Sequence, residues 1–247
     1  MRLLADYHTH TYYSHGKGSI KDNILAAREK GLREIAITDH GPASHSLIRL
    51  GVNRAEVFLQ IKDEVESLRD EFPEIKVLVG TEANIINLEG ELDIPVNILS
   101  QLDIILVGLH ILIKPASFYD GLHLIANNVL GRRLSNRLAQ EARLRNTTAL
   151  ERTLHNYRVD IITHPGYGLD IDSYRLARAC KEKGVALEIS GRHSGMTPEY
   201  LQIGQAEGVE FVVGSDAHRP EEVGSVERAL DVITRAGLPL ASVINVV

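Results

Sequence analysis

Two pairs of metal-binding residue types lie near the ends of this sequence. His8 and His10 stand two positions apart near the start, and Asp216 and His218 do the same near the end. In extended backbone, residues i and i+2 point to the same side, so each pair can present both side chains to one ion or to adjacent ions. A lone His-x-His pair is weak evidence, so the interpretation depends on what else the chain places beside it.

Further imidazole and carboxylate side chains recur at the ends of apolar runs. These are His15, His40, Glu82, His110 and His164. Imidazole and carboxylate without thiolate suit Zn²⁺, Mn²⁺ or Fe²⁺ in an open site, whereas a closed structural zinc site usually contains cysteine. Nine candidate ligands are too many for one ion and about right for three. We therefore predict three divalent metal ions (Zn, Mn or Fe), with Glu82 able to bridge two of them through its two oxygens.

Short runs rich in Val, Ile and Leu alternate along the chain with amphipathic helical stretches. Seven strands are predicted, over residues 2–7, 34–38, 75–80, 103–108, 159–163, 185–189 and 209–214. Helices are predicted over residues 19–30, 54–71, 172–183, 197–207 and 220–235. Regular alternation of strands and helices predicts a parallel sheet with helices outside it, and seven strands suggest a closed or nearly closed barrel.

The interval 114–157 is longer than one crossover helix needs and contains polar helical patterns. We predict an extra helical segment there, over about residues 115–157, between strands 4 and 5. It would form a cap over the site or an oligomer contact. No linker rich in glycine, serine or proline interrupts the sequence, so residues 1–247 are interpreted as a single domain of the α/β class.

Every predicted strand has a metal-competent side chain at its C-terminal end. In α/β barrels that end carries the active site, because the loops that follow the strands converge there. Glu188, at the end of the sixth strand, is expected to support a ligand or to carry a proton, and Asp39 is expected to orient a ligand histidine.

Six motifs, in this order, resemble the PHP (polymerase and histidinol phosphatase) superfamily, in particular its stand-alone phosphoesterases. They are DYHTH at 6–10, AITDH at 36–40, GTE at 80–82, GLH at 108–110, THPG at 163–166 and GSDAH at 214–218. The resemblance implies a distorted (β/α)7 TIM-like barrel with a trinuclear centre. It implies one ion bound by His8, His10, Glu82 and Asp216, a second by Glu82, His110 and His164, and a third by His15, His40 and His218.

The resemblance also implies a metal-dependent phosphatase or phosphoesterase for a small phosphorylated substrate. Paired metal ions would make a bridging water or hydroxide the nucleophile and would neutralise the phosphate oxygens, so no catalytic side chain is expected. Arg192 and His193 are candidate phosphate contacts, since they follow the sixth strand and guanidinium matches phosphate bidentately. Lys17 and Arg219 are weaker candidates.

Three alternatives stay open at this point. A nuclease or phosphodiesterase acting on nucleic-acid ends would use the same chemistry but would need a basic groove. An amidohydrolase-type enzyme also has His-x-His after its first strand, but it would have eight strands. In a non-catalytic PHP module we would expect some of the metal-ligand residues to be replaced, and no expected ligand residue is missing.

Composition narrows the class of protein. The formal net charge of −6 argues against nonspecific binding to long nucleic acid, and no apolar run approaches the ~18 residues of a membrane-spanning helix. The N-terminal segment does not resemble a signal peptide. The single cysteine, Cys180, fits a core position and a reducing, cytoplasmic setting. A homo-oligomer stays open.

Overall fold

A computed structural model describes residues 2–45, 49–126, 128–129 and 135–247 of the chain. Seven parallel strands form one sheet in which each strand pairs with the next in sequence. They are β1 (Ala5–Asp6), β2 (Glu34–Ile37), β3 (Lys76–Asn84), β4 (Ile104–Gly108), β5 (Ile161–Ile162), β6 (Ala186–Ser190) and β7 (Phe211–Gly214). A parallel bridge between Thr9 and Ala217 brings the chain after β1 to the chain after β7. The sheet is therefore nearly closed, and the predicted (β/α)7 barrel is confirmed.

Helices lie between the strands, as the alternation predicts. They are α1 (Ile20–Glu29), α2 (Val57–Arg69), α3 (Val96–Leu99), α4 (Phe118–Asp120), α5 (Asn136–Asn156), α6 (Ser173–Lys183), α7 (Pro198–Glu207) and α8 (Glu227–Ala236). The side chains of Ser19, Asp172 and Thr197 each accept a backbone N–H from the first turn of the helix that follows. These caps satisfy donors that the helix leaves free and explain why the predicted starts are close to the observed ones.

Side chains alternate along the strands between two apolar clusters. One cluster packs the strands against the helices and includes Ile35, Ile105 and Val213. The other fills the inside of the barrel with Ala36, Ile104, Leu106, Ile161, Ala186 and Val212. Strands buried on both faces read as continuous apolar runs, which is the pattern seen in the sequence.

Two boundaries differ from the predicted ones in ways that affect the site. The third strand continues to Asn84, so Glu82 lies inside β3 and does not follow it. The predicted helix over 220–235 is divided into a 3₁₀ turn (Pro220–Glu222) and α8. Gly224 separates the two with a φ of 68°, and its N–H donates to Oδ2 of Asp6 at 2.8 Å. That hydrogen bond connects the segment between the 3₁₀ turn and α8 to β1.

The described part of the extra segment is helical, as predicted. It comprises α4, a π-helical turn over Gly121–Ala126 and the 21-residue helix α5, which packs against α6. Residues 127 and 130–134 of this segment lie outside the described residues. Its role as a cap or an oligomer contact stays a prediction. Within the described part of the chain, no helix is long and apolar enough to cross a membrane.

Candidate metal centre

The side chains of the nine predicted ligands meet at the C-terminal ends of the strands. Eight of them form four overlapping groups in which one ligand atom per residue lies within 4.8 Å of the others. The groups are His10, His40 and His218; His8, His10 and Glu82; His8, His164 and Asp216; and His40, Glu82 and His110. The ninth, His15, joins them by ring contact, with its centroid 4.1 Å from that of His218 and 5.1 Å from that of His40.

Glu82 lies at the centre of these groups with no solvent exposure. Its neighbour Ala83 packs outward into the helix-facing cluster, so the alternation of β3 turns Glu82 into the barrel. Oε2 faces three imidazoles, at 3.2 Å from His8 Nε2, 3.7 Å from His10 Nε2 and 2.8 Å from His40 Nδ1. Oε1 faces two others, at 3.2 Å from His110 Nε2 and 2.9 Å from His164 Nε2. One carboxylate therefore contacts two separate sets of imidazoles, one through each oxygen.

Asp216 is the second buried carboxylate of the centre. Its Oδ1 lies 3.2 Å from Nε2 of His10, and its Oδ2 lies 2.9 Å from Nε2 of His193. Asp216 and His164 are also the two non-glycine residues of the described chain with positive φ, at 54° and 27°. Left-handed backbone costs a non-glycine residue on the order of 1 kcal/mol or more, so strain is concentrated where these side chains turn into the site.

Four imidazoles are oriented by acceptors on their Nδ1 atoms. The pairs are His8 with Glu188 Oε1 at 2.7 Å, His15 with Leu50 O at 2.7 Å, His110 with Asn84 Oδ1 at 2.8 Å and His218 with Asp216 O at 2.9 Å. A carbonyl or ionised carboxylate can only accept, so each Nδ1 carries the hydrogen. In the neutral form of each ring the lone pair is then on Nε2, where a metal ion can bind it.

Several buried polar atoms of the centre lie close to one another but form no hydrogen bond of normal geometry. They are His8 Nε2, both ring nitrogens of His10, His40 Nδ1 and Glu82 Oε2. Buried polar atoms are almost always paired, because leaving one unpaired costs free energy. Unpaired nitrogen lone pairs directed at a buried carboxylate are the donor arrangement that a divalent cation satisfies, so these residues fit a metal centre.

The electrostatic balance of the centre agrees with that fit. Burial raises the pKa of Glu82, but His40, His8 and His110 outweigh it and hold the pKa well below its ordinary value. Burial lowers the pKa of His15 to about 4, with help from the neighbouring His218 and His40. Glu82 is therefore ionised and His15 is neutral at neutral pH, and each of these two groups is in the protonation state in which it binds a metal ion.

Asp39 does not orient a histidine ring, in contrast to the prediction. Its carboxylate accepts the Thr11 N–H at 2.8 Å, the Thr11 hydroxyl at 2.6 Å and the Ser14 hydroxyl at 2.5 Å. These donors belong to the loop that carries His15. Asp39 thus supports the loop in which His15 stands, through its contacts with Thr11 and Ser14.

Asn84 is a supporting residue that the sequence interpretation missed. Its Oδ1 accepts from His110, while its Nδ2 donates to Oδ2 of Asp93 at 2.7 Å. The spacing in the sequence could have identified it. Asn84 stands two positions after Glu82 in the same strand, so the two side chains point to the same side of the sheet.

The centre opens into a cavity of about 610 Å³. Arg192 and His193, the candidate phosphate contacts, both line it. Nη1 of Arg192 donates to Oε2 of Glu222 at 3.0 Å, which fixes the side chain at the mouth. The weaker candidates Lys17 and Arg219 line a separate cleft beside α1 and do not line this cavity.

Comparison with known proteins agrees with this arrangement. The model of the PHP domain family matches residues 6–215. A protein named "probable phosphatase" from Thermoanaerobacter sp. (strain X514) is 34% identical and the alignment covers 99% of this chain and 91% of that protein. A "probable phosphatase" of Shewanella sp. (strain W3-18-1) is 35% identical, with 99% and 88% covered.

A solved structure has a similar fold. The histidinol phosphate phosphatase of Lactococcus lactis subsp. lactis Il1403, complexed with Zn, L-histidinol and phosphate, has a TM-score of 0.62 at 17% identity. The match covers 97% of this chain and 95% of that one. The family model, these full-length relatives and the barrel agree with the six motifs, and the chain belongs to the PHP domain family.

Proposed function

We propose that this protein is a phosphatase that hydrolyses small phosphate monoesters with three divalent metal ions. The residues that would bind the ions are His8, His10, His15, His40, Glu82, His110, His164, Asp216 and His218. When bound, such ions would act as Lewis acids: they would neutralise phosphate oxygens and lower the pKa of a water so that hydroxide is available to attack phosphorus at neutral pH. Zn²⁺, Mn²⁺ and Fe²⁺ all accept this donor set.

The observation that carries the proposal is the position of Glu82. Its two oxygens face two different sets of imidazoles while the residue is fully buried. A carboxylate in that position can bind one ion through each oxygen, which supports a polynuclear centre over a single-ion one. Family membership supports hydrolysis of phosphate esters, and the names of the full-length relatives favour a phosphatase.

The remaining residues of the site have positioning roles in this proposal. Glu188 and Asn84 hold the rings of His8 and His110 so that their Nε2 atoms face Glu82. Arg192, held at the mouth by Glu222, would offer its other N–H groups to a phosphate oxygen. His193 reaches Asp216 and would face the phosphate from the same side.

The structure gives the alternative functions less support. An amidohydrolase-type enzyme would have an eighth strand, whereas the sheet of the described chain has seven. A nuclease would need a basic groove, yet Arg192 is the one lysine or arginine among the described residues that line the cavity. A non-catalytic module has no need for nine converging ligands.

The proposal is tested with protein of known metal content. The purified protein is loaded with Zn²⁺, Mn²⁺ or Fe²⁺, its metals are counted by mass spectrometry, and phosphate release is followed on a panel of monoesters and diesters. We expect about three ions per chain and turnover of monoesters. Glu82→Gln should lose at least one ion and the activity, while Glu210→Gln, an exposed matched control, should keep both. Fully loaded protein that releases no phosphate from any ester would overturn the proposal.

A further inference from the structure

The cavity above the metal centre has an apolar wall. Its residues are Leu50, Leu109, Ile111, Leu112 and Tyr167. They come from three different loops, which follow β2, β4 and β5. Leu112 is 57% exposed and Tyr167 is 45% exposed, so two large side chains of this wall face solvent. Large apolar side chains grouped around a concave site mark the surface that a ligand covers.

The Tyr167 ring is held in place. It stacks on the ring of His193 with centroids 3.7 Å apart and an interplanar angle of 21°. His193 in turn contacts Asp216 through Nε2 at 2.9 Å. The apolar wall and the proposed phosphate end of the site are therefore connected through a packed aromatic pair.

Charged groups that could bind a substrate cation are scarce in this cavity. Among the described residues that line it, Asp216 is the one carboxylate. Its two oxygens already face imidazoles of the centre, at 3.2 Å from His10 and 2.9 Å from His193. The described part of the wall thus offers an ammonium group no counter-charge, and its side chains are hydrocarbon or aromatic.

On this basis, and resting on the proposed phosphatase function, we infer the class of substrate. The alcohol that carries the phosphate is apolar or aromatic and has no cationic group. An ammonium would lose water at this wall without gaining a counter-charge, and a set of hydroxyls would meet one polar side-chain group of the wall, the Tyr167 hydroxyl. Burial of either costs free energy, whereas apolar surface gains from the same burial. The cavity, at about 610 Å³, lies within the roughly 300–1,000 Å³ usual for small-ligand sites.

This substrate class differs from that of the Lactococcus lactis phosphatase. Histidinol, the ligand of that structure, is an amino alcohol and carries an ammonium group at neutral pH. The inference therefore predicts that the two proteins share a fold but recognise different alcohol groups, the part of the ester that is not attacked.

The test uses esters that differ in a single group. 3-Phenylpropyl phosphate and 2-amino-3-phenylpropyl phosphate share a carbon skeleton, and the second adds only the ammonium. Glucose 6-phosphate supplies a hydroxyl-rich ester. With metal-loaded protein we expect kcat/KM for 3-phenylpropyl phosphate to exceed that of each of the others by at least about tenfold. The matching phosphonates, titrated by calorimetry, should bind in the same order without turnover.

A variant tests the wall itself. Leu112→Asp places a carboxylate on it, so the preference for 3-phenylpropyl phosphate over its amino analogue should shrink by about tenfold or reverse. Leu240→Asp changes an exposed leucine in the 3₁₀ turn Leu240–Ser242 and should leave the preference unchanged.

The outcomes separate the inference from the function on which it rests. Equal rates for the three esters, or faster turnover of the amino ester, would overturn the inference and leave a phosphatase in place. A Leu112→Asp variant with an unaltered preference would also count against it. Hydrolysis of none of the three esters, with full metal content, would overturn the inference, and it would overturn the phosphatase function as well only if no ester of the wider panel releases phosphate.

Discussion

Oε1 of Glu188 lies 2.7 Å from Nδ1 of His8, and both residues are almost fully buried. The other oxygen of the same carboxylate accepts the backbone N–H of His164 at 2.7 Å. Glu188 therefore orients one predicted ligand through its ring and another through its main chain, at the point where His164 takes its strained φ of 27°. This is the supporting role that the sequence suggested for Glu188.

The first prediction concerns this carboxylate. Glutamine at position 188 keeps the size of the side chain but replaces one acceptor oxygen by an NH₂ donor. That NH₂ group would then face either the Nδ1–H of His8 or the backbone N–H of His164, and two donors repel each other. We expect Glu188→Gln to lower metal affinity by about 10- to 100-fold while the fold is retained. Metal titration with a competing chelator gives the affinity, and circular dichroism checks the fold. Unchanged affinity would show that His8 is held by other contacts.

The second prediction concerns the loop that carries His15. Asp39 accepts three hydrogen bonds from Thr11 and Ser14, and bonds to a charged acceptor contribute roughly 1.5–3 kcal/mol each. Asp39→Asn presents an amide hydrogen to one of those donors. We expect a free energy of unfolding lower by about 2 kcal/mol, measured with denaturant, together with loss of the ion assigned to His15. Ser14→Ala removes one donor and should have a smaller effect. Equal losses in the two variants would contradict this account.

The candidate ligands could be found from sequence because strand ends are encoded locally. Apolar runs such as residues 104–108 identify buried strands, and parallel strands bring their C-terminal ends to one side. His110 and His164 follow such runs, so their meeting is a consequence of topology. The seven strands and the helix starts at Ser19, Asp172 and Thr197 follow from the same local signals.

The features that were missed depend on tertiary contacts. The break between the 3₁₀ turn and α8 contains Gly224, whose N–H donates to Asp6, more than two hundred positions earlier. Asp39 was assigned to a histidine ring because nothing in the sequence indicates that Thr11 and Ser14 fold back onto it. The apolar wall that includes Leu112 is formed by loops whose paths the strand pattern does not determine.

The third prediction concerns Asn84, which connects Asp93 to His110. Alanine at this position removes the acceptor for Nδ1 of His110 and the side-chain amide that donates to the Asp93 carboxylate. We expect Asn84→Ala to reduce kcat/KM by about 10- to 100-fold through weaker metal binding. Because the loss acts through affinity, excess metal should restore part of the rate. Asn97→Ala, at an exposed asparagine of α3, is the matched control. A loss that excess metal does not reduce would point to a damaged fold.

The last prediction concerns the stability of the whole barrel. The unpaired atoms of His8, His10, His40 and Glu82 come from β3 and from the loops after β1 and β2, so an ion that binds them links distant parts of the chain. A ligand that binds only the folded state stabilises it by about 2.7 kcal/mol at a hundred times its dissociation constant. Removal of metal by a chelator should therefore lower the unfolding temperature by several degrees, and adding back Zn²⁺ or Mn²⁺ should restore it. In Glu82→Gln the same addition should restore much less, because the carboxylate that contacts both sets of imidazoles has lost its charge. Equal recovery in both proteins would mean that the stabilising ions bind elsewhere.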